Sequence, residues 1–533
     1  MKLKKCVLTA IVIMSLLVAP GVFGLNEDNI NTEYTGDCTS MLVGKNATVD
    51  GSVLNSYSCD GAIFCLVNFI PGATHEEGER IPIYTWGGEK IGEVPQVKET
   101  YSCWTPLDGA LFSGGINEYQ VSIGETTTGG REELVCENAS FNYPNLILLG
   151  LQRAKTARES IRIMGDLIEE YGFYGVGECI TIADPDEAWA FECFGPGAEW
   201  TLESGKPGAV WAAQRIPDDE FFISANRARI GEIDLNNSEY FMASPNVFSL
   251  AEEMGWYNSS NGEPFVFYEV YGPKVNFYNT RREWRGLSIV APSLSLDPDA
   301  ERFPFSIKPD KKISVQDIMA IHRDTYEGTK FDITENPAFY VTDENGNKVK
   351  SPIATPYGTK HHGLESELWD LLGIKSERCI SQARVGFSFV NQLRDWLPDD
   401  IGGIMWYGND CPETTCYIPI YAGATSISEE WIRCNPKRVD RGSAWWAFNL
   451  VNNLAFQSKY QLAIEDIRAV RDPLESDIFL HQHGIESVAL SLYRKDPAAA
   501  QEFLTKHVHS AADKVLDAYW DLSDLLLYKY YAN

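Results

Sequence analysis

Short strand-like runs dominate the chain just after residue 37. Residues 39–43 and 52–57 have the composition of strands, and the turn-rich link between them ends in an Asp-Gly pair. Folded as an antiparallel hairpin, the two runs would place Cys38 opposite about Ser58 and within reach of Asp60. The pattern therefore predicts that a thiol and a carboxylate meet at one end of a hairpin.

Later segments alternate between strand and helix patterns. Further strands are predicted at residues 110–112 and 120–123 and in a hairpin of residues 179–182 with 188–192. Apolar residues then recur at steps of three and four over residues 144–171, which predicts one amphipathic helix ending at Gly172. The last hundred residues are predicted to be mostly helical, with one apolar face formed by Val515, Ala518, Leu522, Leu525 and Leu526. Strands flanked by helices predict an α+β layered architecture.

The start of the chain has the pattern of a leader. Lysines precede an almost wholly apolar run over residues 6–22, and small residues follow up to Gly24. We interpret residues 1–24 as a signal peptide; a retained membrane anchor is the alternative, because the run approaches the roughly 20 residues that span a bilayer. Residues 25–37 are too polar for a core element and are interpreted as a propeptide, which leaves residues 38–533 as the working domain. The protein is therefore expected to be secreted or extracytoplasmic, with no stable membrane insertion once the signal is removed.

Composition narrows the class of protein. With 533 residues, 44% of them hydrophobic, the chain can bury a large core, and the absence of internal repeats or long linkers favours a single elaborated domain. The formal net charge of −30 argues against nucleic acid and anionic lipid as partners. A zwitterion or a neutral amide would feel little net force from this charge. Solubility alone also explains the charge, and homo-oligomerisation is left open.

The cysteines are odd in number once the leader is removed. Eleven remain, so at least one is a free thiol if the others pair, and Cys38 is the candidate. The spacings of Cys59 with Cys65 and of Cys411 with Cys416 lack the short CxxC pattern of a zinc site, which favours disulfides or buried thiols there. The His pairs lack a third ligand at metal spacing. We therefore expect neither a metal nor another cofactor.

Cys38 is the residue with the most distinctive chemistry. Removal of residues 1–37 would make it the first residue, so that one residue carries both a thiol nucleophile and an α-amine base. The reference pKa values of an α-amine and a thiol, about 8 and about 8.5, are close enough for the amine to take the thiol proton without a catalytic histidine. A buried ordinary cysteine at the start of a strand is the alternative interpretation of Cys38 taken alone.

A family resemblance extends this interpretation. It rests on seven segments in order, at residues 38–52 (CTSMLVGKNATVDGS), 114–130, 177–195, 221–234, 278–293, 326–334 and 402–423. They resemble the secreted cysteine dipeptidases of the N-terminal-nucleophile (Ntn) hydrolase superfamily, relatives of the penicillin V acylases and bile-salt hydrolases. The resemblance implies a four-layer αββα sandwich with a largely helical C-terminal part. It also implies autocatalytic exposure of Cys38 and hydrolysis of dipeptides through an S-acyl-enzyme without a metal.

The resemblance also implies roles for individual residues. Asp60 matches the carboxylate that orients the N-terminal amine and thiol, and Asn117 and Asn226 match asparagines that donate hydrogen bonds to the oxyanion. Side-chain amides suit that role because they donate without carrying charge. Without the family, an ordinary turn or strand-end asparagine would be the preferred interpretation of both.

An arginine and a tyrosine complete the expected site. Arg282 resembles an arginine near the nucleophile, although Arg281 and Arg285 stand close enough in sequence to be confused with it, and a surface salt bridge is the alternative. Many relatives carry an arginine at the position of Tyr57. Tyrosine supplies no fixed positive charge, so this departure puts the substrate preference in doubt more than the reaction type.

Two other functions remain open at this point. One is an acylase of the same mechanism that acts on N-acyl amides, and the other is a non-catalytic exported binding protein with this fold. A substrate panel separates the first from a dipeptidase. An unprocessed or unreactive Cys38 would indicate the second.

Overall fold

The structure is a computed structural model that describes residues 38–61, 65–85, 88–108, 111–357, 366–375, 377–457 and 459–532. The predicted signal peptide and propeptide, residues 1–24 and 25–37, lie outside the described residues, as does the first residue of the predicted strand 110–112.

The strands are mostly short and are concentrated before residue 245. They are β1 Thr39–Val43, β2 Val53–Asp60, β3 Cys65–Ile70, β4 Ala73–Thr74, β5 Arg80–Tyr84, β6 Lys90–Pro95, β7 Glu99–Thr100, β8 Cys103–Asp108, β9 Leu111–Phe112, β10 Gly115–Asn117, β11 Ser122–Thr127, β12 Glu178–Ala183, β13 Ala188–Phe194, β14 Val210–Ile216, β15 Phe221–Ser224, β16 Phe241–Ala243, β17 Ser306–Ile307, β18 Tyr340–Thr342, β19 Lys348–Lys350, β20 Val385–Leu393, β21 Ile404–Asn409 and β22 Ile418–Tyr421.

The two longest helices lie at the C-terminal end of the chain. The α-helices are α1 Tyr143–Arg153, α2 Ala157–Tyr171, α3 Ser249–Glu253, α4 Phe267–Val270, α5 Phe277–Val290, α6 Val315–His322, α7 Ser366–Leu372, α8 Asp399–Gly402, α9 Ala444–Phe456, α10 Tyr460–Tyr493 and α11 Pro497–Tyr531. The predicted helical C-terminal part is therefore confirmed. On α11, Val515, Leu522 and Leu526 are buried, whereas Leu525 of the predicted apolar face is exposed.

Two antiparallel sheets form the middle of the fold. The first has seven strands in the order β17-β15-β1-β2-β20-β21-β22, and the second has the order β16-β14-β13-β12-β11-β10-β8-β3, with β9 paired to β8. The central strands β1 and β2 of the first sheet pack against β11 and β12 of the second. Cys38, which directly precedes the N-terminal end of β1, therefore lies in the interior between the sheets.

Helices cover both outer faces. Helices α1 and α2 pack on the second sheet through an apolar cluster that includes Ile147, Ile161 and Trp211. Helices α5, α6, α9 and α11 pack on the first sheet. The layers are thus helix, sheet, sheet, helix, and the predicted αββα sandwich is confirmed. Within the described residues, no helix combines the length and the apolar character needed to cross a membrane.

The predicted hairpin at the start of the domain forms, with a register one residue from the expected one. Thr39 pairs with Ser58 and Ser40 with Tyr57, so continuing the register places Cys38 beside Cys59. The second strand is longer than predicted and runs to Asp60. The predicted hairpin of residues 179–182 with 188–192 is confirmed as β12 and β13. The strand predicted at 120–123 begins instead at Ser122 and extends to Thr127.

The single helix predicted over residues 144–171 is wrong, because it breaks into α1 and α2. Thr156 starts the second helix as its N-cap, accepting a hydrogen bond from the backbone N–H of Glu159 at 3.2 Å. The side chain of Asp184 accepts a hydrogen bond from the backbone N–H of Ala157 at 2.8 Å. The apolar periodicity continues across the break. A prediction based on that periodicity alone therefore does not detect the end of α1 or the N-cap of α2. The predicted end of the helix at Gly172, which adopts φ 81°, is confirmed.

Candidate active site

The Cys38 thiol lies in the interior at the head of β1. Its side chain is only 1% exposed, and its Sγ lies 3.5 Å from Oη of Tyr57 and 3.6 Å from Oε1 of Glu125. The Tyr57 hydroxyl in turn makes a short hydrogen bond to Oε1 of Glu125. The residue that departs from the family pattern is therefore in direct contact with the Cys38 thiol.

The surroundings of Cys38 disfavour the thiolate. A hydrogen bond with the Cys59 side chain, burial, and the neighbouring carboxyl groups of Glu125 and Asp60 raise the pKa of the Cys38 thiol well above its usual value. Because the thiolate is the nucleophilic form, this cysteine is a weak nucleophile while its nitrogen remains part of a peptide bond.

Two carboxyl groups lie together near this thiol. Glu125 is in β11 and Glu178 is the first residue of β12, and both are buried. Burial raises the pKa of Glu125, and burial together with the charge of Glu125 raises the pKa of Glu178 well above its usual value. Both carboxyl groups therefore resist ionisation in this environment.

Arg282, in the second turn of α5, holds the backbone of Cys38. Its Nη1 donates hydrogen bonds to the Cys38 carbonyl at 2.7 Å and to Oγ1 of Thr39 at 3.2 Å. Its Nη2 donates to Oδ1 of Asn226 at 2.9 Å and to Oδ1 of Asn279 at 3.1 Å. One buried guanidinium therefore links Cys38 to one of the predicted oxyanion asparagines.

The two neighbouring arginines bind elsewhere. Arg281 pairs with Glu377, and Arg285 pairs with Asp324 at 2.6 Å. Among the three arginines that the sequence alone could confuse, Arg282 is the one that contacts Cys38.

Asn226 follows β15 in a left-handed backbone conformation, with φ 62°. Asparagine tolerates this conformation better than most residues. Because Oδ1 accepts from Arg282, the amide orientation is fixed, and Nδ2 donates to the Thr127 carbonyl at 2.9 Å. The amide N–H groups of Asn226 therefore point toward the end of β11, two residues beyond Glu125.

Asp60 ends β2 at an irregularity in its pairing with β20. Its carboxylate forms a buried ion pair with Arg378, whose guanidinium also donates to the carbonyl of Ile380 at 3.3 Å. Asp60 is close enough to Cys38 for its charge to contribute to the raised pKa of the thiol. The structure thus brings Cys38, Asp60, Asn226 and Arg282 to one end of the first sheet.

The structure does not bring Asn117 to this group. Its Nδ2 donates to the carbonyls of Leu151 at 2.8 Å and Ala154 at 2.7 Å, and its Oδ1 accepts from the backbone N–H groups of Tyr119 at 3.0 Å and Val121 at 2.9 Å. Both N–H groups thus satisfy carbonyls at the end of α1.

The strand register separates Asn117 from the thiol. Ile116 pairs with Ser122, so Asn117 lies beyond the start of β11, whereas Glu125, the residue of β11 that contacts Cys38, lies further along. Continuing this register places Asn117 opposite Val121, which is four residues before Glu125. At a rise of about 3.3 Å per residue, this separation is roughly 13 Å along the strand.

Sequence reasoning missed three residues of the site, namely Glu125, Glu178 and Arg378. Glu125 and Glu178 both fall inside segments that carry the resemblance, at residues 114–130 and 177–195. An ionisable residue within a strand that is otherwise buried is a signal of function that could have identified both. Arg378 lies in a segment without a recognisable pattern, and only the folded chain shows its contact with Asp60.

The other cysteines and the histidines do not form a metal site in the described part of the chain. No group of three or more His, Cys, Asp or Glu side chains there could hold a metal ion. Ten of the eleven cysteines from Cys38 onward are buried, and Cys411 and Cys416 are buried thiols, one of the two alternatives that their spacing left open.

Comparison with known proteins identifies the family. Residues 91–472 match the model of Peptidase family C69. The chain belongs to this family. It is therefore an enzyme, a cysteine peptidase.

Relatives of this C69 peptidase cover nearly its whole length. A "Probable dipeptidase" of Latilactobacillus sakei is 26% identical over 509 residues, which are 91% of this chain and 93% of the relative. A "Probable dipeptidase B" of Streptococcus pyogenes serotype M1 is 24% identical over 493 residues, 90% of each chain. A "Probable dipeptidase" of Salmonella dublin is 27% identical over 404 residues, 72% of this chain and 81% of the relative.

Two solved structures match the C69 peptidase more remotely. Penicillin V acylase from Agrobacterium tumefaciens is 9% identical, covers 72% of this chain and 86% of its own, and gives a TM-score of 0.29. A mutant of conjugated bile acid hydrolase from Clostridium perfringens is 11% identical, covers 70% of this chain and 89% of its own, and gives a TM-score of 0.27.

Proposed function

We propose that this peptidase is an exported dipeptidase whose nucleophile is Cys38 as the N-terminal residue. The observation that carries the proposal is the position of Cys38, which is buried at the head of a central strand and held through its carbonyl by Arg282. Autocatalytic cleavage between Asp37 and Cys38 creates the α-amine that serves as the base.

The α-amine changes the electrostatics of the site. In the uncleaved chain the pKa of the Cys38 thiol is raised by Cys59, by burial and by nearby carboxylates, and the nitrogen of Cys38 is a peptide nitrogen without basicity. After cleavage the amine takes the thiol proton and becomes an ammonium beside the thiolate, which stabilises the thiolate. Cleavage therefore converts a weakly nucleophilic thiol into a stronger nucleophile.

Hydrolysis then proceeds in two steps. The Cys38 thiolate attacks the carbonyl carbon of the dipeptide, the C–N bond breaks, and the ammonium of Cys38 returns its proton to the leaving amine. Water next attacks the thioester while the α-amine accepts a proton from it, and the C–S bond breaks to release the acid and the thiol. No metal takes part in either step.

The neighbouring side chains have supporting roles in this proposal. Asn226 donates an amide N–H to the oxyanion, and Arg282 positions both Asn226 and the backbone of Cys38. Asp60, itself anchored by Arg378, orients the new amine. Dipeptides are the proposed substrates because the relatives that match about 90% of the chain are named dipeptidases.

A substrate panel tests the proposed reaction. The purified, processed protein should hydrolyse dipeptides, and alkylation of the thiol in the native enzyme should abolish this activity while chelators leave it unchanged. Hydrolysis of N-acyl amino acids without hydrolysis of dipeptides would contradict the dipeptidase proposal and favour an acylase. Restoration of a chelator-inhibited activity by zinc would contradict the metal-free mechanism.

A further inference from the structure

The carboxyl groups of Glu125 and Glu178 form a buried pair next to the nucleophile. Glu125 is 0% and Glu178 is 2% exposed. The two carboxyl groups are hydrogen-bonded to each other, Oε2 of Glu125 and Oε1 of Glu178 have no other hydrogen-bond partner, and no lysine, arginine or histidine in the described part of the chain pairs with either group. Buried carboxyl groups are costly unless they bind a cation or stay protonated. Such a pair, with Glu125 at 3.6 Å from a reactive thiol, suggests a positively charged ligand.

The first of these carboxyl groups is held in a fixed direction. Oε1 of Glu125 accepts the hydrogen bond of the Tyr57 hydroxyl and lies 3.6 Å from Sγ of Cys38. The ring of Tyr57 is packed edge-on against Phe387 and Phe389, with centroid distances of 5.5 and 5.7 Å. The packing fixes Tyr57, and Tyr57 therefore fixes Glu125 relative to the thiol.

The distance from Glu125 to Sγ matches the shape of a dipeptide under attack. A carbonyl carbon in position to react lies roughly 3 to 3.5 Å from the nucleophile. The α-nitrogen of the same residue is about 2.5 Å from that carbon by standard covalent geometry. These distances allow an α-ammonium on the side of Glu125 to lie within hydrogen-bond distance of Oε1.

We propose that Glu125, supported by Tyr57 and Glu178, binds the free α-ammonium group of the substrate's first residue and so selects dipeptides over N-acyl amino acids. The inference rests on the proposed function and names the group by which that function recognises its substrate. Asp60 is less suited to this role because Arg378 already neutralises its charge. An N-acyl substrate would leave the Glu125 carboxyl buried without its partner, which penalises binding of that substrate.

The test compares two substrates that differ only at the α-carbon. L-alanyl-L-alanine carries the ammonium group, and propionyl-L-alanine has hydrogen in its place. In the wild-type enzyme the kcat/KM ratio should favour the dipeptide, and Glu125→Gln should reduce that ratio by about 10²-fold, because an effect of the substitution on the nearby thiol is common to both substrates and cancels in the ratio. Glu192→Gln is the matched control, since Glu192 is also a fully buried glutamate of the second sheet, where it accepts the backbone N–H of Arg229. It should leave the ratio unchanged.

The outcomes separate the inference from the proposed function. An equal loss on both substrates, in a variant with normal melting temperature, would overturn the inference and leave the dipeptidase function standing. Loss of processing at Cys38 in both Glu125→Gln and Glu178→Gln would also overturn it, because the pair would then serve maturation. A wild-type enzyme that prefers propionyl-L-alanine would overturn both. If Glu125→Gln does not fold, Tyr57→Phe takes its place, and it should lower the ratio by roughly tenfold.

Discussion

Arg282 connects two of the predicted site residues. Its guanidinium bonds the Cys38 carbonyl and the Asn226 amide at the same time, while Arg281 and Arg285 form ion pairs elsewhere. The planar guanidinium group of an arginine has several N–H donors and can bond two acceptors at once. A lysine ammonium group cannot reproduce this planar arrangement of donors. The role assigned to Arg282 is therefore positional.

Substitution of Arg282 by lysine tests this role. Arg282→Lys keeps the charge but loses the planar guanidinium group, so we expect kcat/KM for a dipeptide to fall by about 10²-fold, because small displacements of a nucleophile have effects of that size. Arg281→Lys is the control, one residue away on the same helix, and should change kcat/KM by less than about threefold. Equal effects of the two substitutions on kcat/KM would contradict the assignment.

Asn117 connects two elements, and its contacts indicate a structural function. It joins β10 to the last carbonyls of α1, at the point where the predicted long helix is interrupted. The resemblance associated this residue with the oxyanion, but its N–H groups are directed to Leu151 and Ala154. The break between α1 and α2 thus depends on a side chain from a distant strand.

Alanine substitutions distinguish the two asparagines. Asn117→Ala leaves several buried backbone groups without partners, so we expect the free energy of unfolding to fall by about 3 kcal/mol with kcat of the folded enzyme near normal. Asn226→Ala should instead lower kcat by roughly 10²-fold to 10³-fold. Unfolding curves and kcat measured on both variants decide this. A stable Asn117→Ala enzyme with strongly reduced kcat would restore Asn117 to the site.

Local sequence patterns predicted some elements well and others poorly. Residues 39–43 were predicted as the strand that forms, because strand composition and a turn signal coincide there. The register of that strand was displaced by one residue, since pairing depends on the whole sheet. The contacts of Arg378 with Asp60 and of Asn117 with α1 join residues far apart in sequence, so no local pattern encodes them.

The stability of the whole domain should depend on pH through Asp410. This residue follows β21 and accepts hydrogen bonds from the Cys411 backbone and from Asn449, both at 2.8 Å, which ties the first sheet to α9. Burial raises the pKa of Asp410 to about 7. In the unfolded chain it ionises near pH 4. The stabilisation from its protonated form is therefore complete below about pH 4 and is lost as the pH rises through about 7.

Asp410→Asn removes this titration while keeping the size of the side chain. Between pH 5 and pH 8 the wild-type free energy of unfolding should fall by about 2 to 3 kcal/mol more than that of the variant. Denaturant titrations of both proteins at the two pH values measure the difference. Parallel changes in the two proteins would show that Asp410 does not titrate in this range.

Intact mass and N-terminal sequencing of the purified, active protein test the proposed N-terminal nucleophile most directly. We expect a mature chain that begins at Cys38, because the base of the mechanism does not exist until the bond between Asp37 and Cys38 is cut. Cys38→Ala should yield an uncut and inactive chain. A stable and fully active protein whose first residue lies upstream of Cys38 would contradict the mechanism.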